Sequence, residues 1–141
     1  MKRAFLTTIA ALPLLLAACG ASEPDPQNYN DVNEMLAAVN EPSSPIQCQK
    51  SEQRERPLIH QSIYQGSCID QNGAEANLLV FDEQSEMDSR VGEAMQRDIW
   101  ASGDWVILRG PNWTVDCKSV DQCKNWQGAI GGKILGANID S

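Results

Sequence analysis

Five cysteines hold most of the chemistry that residue type and spacing support in this chain. Cys48, Cys68, Cys117 and Cys123 form an even set, of the kind that closes disulfides in an oxidising compartment. Three pairings are open to them. Cys48–Cys68 staples two neighbouring strands, and Cys117–Cys123 closes a short loop ahead of a helix; this is the favoured pairing. Zinc sites and thioredoxin-like dithiols use close C-x-x-C pairs, which the spacing of Cys117 and Cys123 does not provide. The fifth cysteine, Cys19, stands apart near the start.

Other reactive types are thinly spread. The single histidine, His60, sits in a polar stretch with Gln61 and Ser62, and no G-x-S-x-G or H-E-x-x-H accompanies it. Asp82, Glu83, Glu86 and Asp88 crowd a predicted helix start. Paired carboxylates there could serve a hydrolase, which needs two acids converging in a cleft with separated pKa values. Dipole complementarity accounts for the same residues without chemistry. Asp70-Gln71-Asn72-Gly73 opens like a calcium loop, but its glycine comes too early and no closing glutamate follows. Gly128, Gly131, Gly132 and Lys133 miss the phosphate-loop spacing. No catalytic residue, metal ligand or cofactor is assigned.

All four tryptophans lie between Trp100 and Trp126. Clustered indoles can form a binding platform, yet Trp105, Trp113 and Trp126 also fit apolar periodicities that fill a core. Gly110-Pro111-Asn112-Trp113 is the stretch to inspect for a partner, with Trp113, Asn112 and Trp105 as candidate contacts.

Several elements must position these residues. Asn30 to Asn40 carries Val32, Met35, Leu36 and Val39 at helical spacing, with Asn30 as the expected cap. A short strand is expected at Ile46–Gln49, then a charged loop from Ser51 to Pro57. Gln61 to Ile69 and Ala76 to Phe81 read as a hairpin across Asn72-Gly73. Ser85 to Trp100 reads as a helix capped by Ser85, with Met87, Val91, Ala94, Met95 and Ile99 on one face. Trp105–Leu108 and Trp113–Asp116 read as strands about the Gly110 turn. Ser119 and Gln122 form a capping box for a last helix whose stripe runs Val120, Cys123, Trp126, Ile130 and Ile134. The expected fold is α+β: a two-layer domain, its mostly antiparallel sheet of about five short strands covered by two or three amphipathic helices.

The chain begins Met1-Lys2-Arg3, followed by a run that is apolar from Ala4 to Leu16 apart from Thr7 and Thr8. That run is shorter than the roughly 20 residues a spanning helix needs, and it has the layout of a secretory signal peptide. Leu16-Ala17-Ala18-Cys19, followed by Gly20, resembles the lipobox of bacterial lipoproteins. The resemblance implies a diacylglycerol on the Cys19 thiol, cleavage after Ala18, and a new amino group open to acylation by a fatty acid such as palmitate. In arrangement, the Trp113 stretch and final helix also resemble small uncharacterised bacterial lipoproteins with a compact α+β domain, a likeness that carries no activity.

These readings divide the chain into a signal peptide (1–18), a proline-bearing flexible tether (19–28) and a single extracytoplasmic domain (29–141). Removing Lys2 and Arg3 leaves nine cations against nineteen acids, a net charge of −10. Such a surface repels nucleic acid and anionic headgroups. The expected protein is lipid-anchored at the extracytoplasmic face of a cell membrane, or of an outer membrane if the source has two. Gly20 is not the aspartate that marks inner-membrane retention there. Its partners are the membrane, through the lipid on Cys19, and an envelope protein or small ligand. The leading function is a non-enzymatic binding module; a carboxylate hydrolase and a structural envelope component are the alternatives.

Overall fold

A computed structural model describes residues 23–54, 56 and 63–136 of the chain. Residues 1–22, Cys19 among them, and His60 lie outside the described residues. The first element is α1, Val32–Val39, which buries the expected Val32, Met35, Leu36 and Val39. Its cap is Asp31, one residue after the expected Asn30: the Asp31 carboxylate accepts the Glu34 N–H at 2.8 Å. Glu34 reaches back to accept the Asn30 N–H, so the pair satisfies two donors at the helix start.

Strands β1 (Cys48–Arg54), β2 (Ile63–Asp70) and β3 (Glu75–Phe81) follow as an antiparallel meander. The expected hairpin is present. The Asp70 carboxylate accepts the Asn72 and Ala74 N–H groups, at 2.8 and 3.0 Å, and so shapes the turn. β1 departs from expectation: Ser51–Arg54 is strand, not charged loop. As an edge strand it exposes most of its side chains, so ladder hydrogen bonds alone define it and hydropathy carries no mark of it.

The next helix, α2, spans Gln84–Met95 and ends well before Trp100; a single turn, α3, follows at Asp98–Ala101. Glu83 stands at its cap in place of the expected Ser85 and makes no side-chain capping bond. Met87, Val91 and Ala94 are buried, but Met95 is 48% exposed. At 100° per residue Met95 lies about 80° around the helix from Met87, on the flank of the buried face.

Strands β4 (Val106–Arg109) and β5 (Trp113–Cys117) turn about Gly110, and α4 (Val120–Ile130) starts at the expected Ser119–Gln122 capping box. The chain then reverses at Gly131 and Gly132, with φ of +73° and +101°, values that favour residues without a Cβ. Ile134, expected on the helical stripe, therefore lies on a sixth strand, β6 (Lys133–Leu135), paired with β4.

The sheet runs β1-β2-β3-β5-β4-β6 with every neighbouring pair antiparallel. It is an α+β fold, one strand richer than expected. One face buries Leu78, Val80, Leu108, Trp113 and Val115 beneath α1 and α4. On the other, α2 packs Met87 and Val91 against Ile63, Leu79 and Phe81. Two disulfides close as favoured, Cys48–Cys68 at 2.04 Å and Cys117–Cys123 at 2.16 Å. No helix among the described residues is long and apolar enough to cross a membrane.

Candidate functional site

The Gly110–Trp113 turn is tied to the N-terminal segment. Asn112 accepts the Tyr29 N–H at 3.1 Å and donates to the Tyr29 and Phe81 carbonyls at 2.7 and 3.3 Å. The Trp113 ring is fully buried, lies 6.1 Å from the Tyr29 ring and donates its N–H to the Gln27 carbonyl at 2.8 Å. A Cβ on Gly110 would stand 2.0 Å from that ring, so only glycine lets the turn close over it. These are two of the residues expected as partner contacts. Both side chains point inward and are spent on holding the segment that precedes α1.

Trp105 sits at the far end of β4 from this turn and does not join the other two. It is half-buried, with the Arg97 guanidinium 5.8 Å above its ring. Trp100, Trp113 and Trp126 are buried, so core packing accounts for three of the four tryptophans.

Above the Gly110 turn lies a groove of about 550 Å³. Glu23–Pro26 forms one wall. Arg109, Pro111, Lys133 and Leu135 form the other. Its lining brings the carboxylates of Glu23 and Asp25 together with the cations of Arg109 and Lys133, an arrangement suited to holding a polar partner by charge and shape. Arg109 is also paired with Asp88, which fixes one cation at the rim.

The carboxylates offered for hydrolysis do not converge. Asp82 pairs with Arg56 at 3.3 Å. Glu83 is exposed at the helix cap, while Glu86 lines a separate hollow along α2 with Arg90 and Glu93. Among the described residues, no group of three or more His, Cys, Asp or Glu could hold a metal ion.

One carboxylate escaped sequence reasoning. Asp116 lies on interior strand β5, opposite Asn77 of β3 and Ile107 of β4. Two hollows meet at it. One, of about 180 Å³, includes Arg54, Gln65 and Arg90; the other, of about 260 Å³, includes Arg97, Trp105 and Lys118. Burial raises the Asp116 pKa, against the opposing pull of Arg90, a hydrogen bond from Trp105, and Lys118. The only sequence signal was an acid at a returning-strand position.

The raised value fixes the sign of a stability effect. Native Asp116 holds its proton more tightly than the unfolded chain does. Its stabilising contribution is complete below about pH 3.9 and is lost as pH rises through the folded value. Asp116→Asn keeps an oxygen for the Trp105 N–H and removes the charge. At neutral pH this variant is expected to gain on the order of 0.5–2 kcal/mol, and the gain should vanish below about pH 3.9. Urea unfolding at both pH values checks this.

Comparison of the chain with family models, with curated proteins and with solved structures finds no match in any of the three.

Proposed function

We propose that the protein is a lipid-anchored, extracytoplasmic binding module. In this reading Cys19 carries the lipid, and the groove between Glu23–Pro26 and the Gly110 turn receives an envelope protein or small ligand. No catalytic step is assigned. The observation that carries the reading is that the wall of the groove is the very segment that leads from Cys19. The hydrogen bonds to Gln27 and Tyr29 hold the end of that segment on the sheet. Four Cα steps separate Cys19 from Glu23, a reach of about 14 Å at most. The groove then opens close to the bilayer, where a partner already held at the membrane meets it at high effective concentration.

Anchoring and binding are tested separately. Two or more acyl chains hold a protein durably on a bilayer, so Cys19→Ala is expected to shift the protein to the soluble fraction or leave it uncleaved. A processed Cys19→Ala protein that still sediments with membranes would remove the anchor. For the groove, a photo-crosslinking residue is placed at Pro111 in intact cells, with a control at Asn72 on the opposite end of the sheet. Capture of one discrete neighbour from Pro111, lost on Lys133→Glu and absent from Asn72, supports the reading. Equal labelling from both positions overturns it.

A further inference from the structure

Beyond the reach of α2, the second sheet face is polar. The register sets Gln65 of β2 opposite Leu79, and sets Ser67, Asn77, Asp116 and Ile107 in a row across β2, β3, β5 and β4. Asn77 is exposed at the middle of the sheet. A face awaiting another helix would present apolar side chains there; this one presents amides, a hydroxyl and a carboxyl. The two hollows that meet at Asp116 also reverse the charge balance of the chain. Acids outnumber bases overall, yet Arg54, Arg90, Arg97 and Lys118 line these hollows against Asp104 and Asp116, with Glu52 beside them paired to Arg54 at 3.0 Å. They share no lining residue with the groove beside the Gly110 turn.

We propose that this polar sheet face binds a small hydroxylated molecule bearing carboxylates, with Arg54 and Arg90 taking the carboxylates and Gln65, Asn77 and Asp116 the hydroxyls. Guanidinium groups suit planar carboxylates through paired N–H donors. The amides of Gln65 and Asn77 can each both donate and accept, which fits hydroxyls rather than a bare ion. Asp116 makes the site proton-dependent. Protonated, it donates to an anionic ligand; ionised, it repels one. Facing it are Arg54 of β1, Gln65 of β2, Asn77 of β3, Arg90 of α2, Arg97, Asp104 and Trp105 ahead of β4, and Lys118 after β5. Arg90 and Lys118 oppose its protonation, and burial outweighs them. Binding therefore tightens as pH falls.

Tartrate is the probe, since it carries two carboxylates and two hydroxyls and its acids stay largely ionised across the range used. Titration calorimetry on the mature protein with both disulfides formed is run at constant ionic strength, at about pH 7 and about pH 5.5. One saturable site is expected, binding more tightly at the lower pH. Arg54→Gln combined with Arg90→Gln should weaken it by about tenfold or more. Asp116→Asn should bind at pH 7 at least as tightly as the parent and lose the pH dependence. Lys124→Gln, an exposed cation on α4, should leave it unchanged. Absence of a saturable site, insensitivity to the Arg54 and Arg90 changes, or tighter binding of inorganic phosphate than of tartrate would each overturn the proposal. The arginines are exposed surface residues, and circular dichroism of each variant separates lost binding from lost fold.

Discussion

Trp113→Ala is expected to lower the unfolding free energy by about 4 kcal/mol, within the range for truncating a fully buried indole. The ring has no exposed surface. It fills the space between Gly110, whose hydrogen faces it, and Tyr29, so neighbours on rigid backbone cannot collapse into the void. The loss is large against the roughly 5–15 kcal/mol that holds an ordinary domain. A second effect separates this site from generic core damage. Without the indole N–H the Gln27 carbonyl loses its partner, and the segment before Tyr29 should open to protease. Trp113→Phe isolates that effect. It keeps most of the volume, costs about 1–3 kcal/mol, and still releases Gln27. Denaturant unfolding and limited proteolysis read the two consequences independently. A Trp113→Ala protein that unfolds at the parent's denaturant concentration would contradict the packing described.

Where one face of an element is buried, the fold was legible in the residues. The stripe of α1, the Ser119–Gln122 box and the Asn72-Gly73 hairpin each write their geometry into local spacing. β6 and the second half of β1 left no such trace. Ser51–Arg54 exposes most of its side chains at the sheet edge, and Ile134 continues the helical rhythm of α4 although two glycines have already reversed the chain. The candidate site was half legible for the same reason. Gly110-Pro111-Asn112 marked a turn, and that turn does border the groove. The inward aim of Trp113 and Asn112 was not legible, because their partners lie 31 to 86 residues upstream and are largely backbone groups that any residue offers. A proline-bearing polar stretch reads as tether whether or not its carbonyls find a donor. Asp116 was missed likewise: its environment comes from β1, β3, α2 and the start of β4, brought together only by strand order.

Breaking both disulfides is the other large effect. In the chain-entropy account, Cys48–Cys68, with a sequence separation of 20, contributes about 3 kcal/mol, and Cys117–Cys123, with a separation of 6, about 2 kcal/mol. Together they approach the whole stability of a marginal domain, so the reduced protein is expected to be largely unfolded at physiological temperature. The two bridges fail differently. Cys48→Ala with Cys68→Ala frees an edge strand that buries little of itself, and amide exchange should accelerate first along β1. Cys117→Ala with Cys123→Ala loosens the join between β5 and the first turn of α4, where both sulfurs are buried beside the main core, and exchange should spread through α4. Denaturant unfolding with and without reductant gives the total; exchange on the two double variants assigns it. Dependence on oxidation of this size would tie folding to an oxidising compartment, since thiols stay reduced elsewhere. A reduced protein as stable as the oxidised one would mean that packing alone closes both loops. The cysteine count would then lend no support to an exported protein.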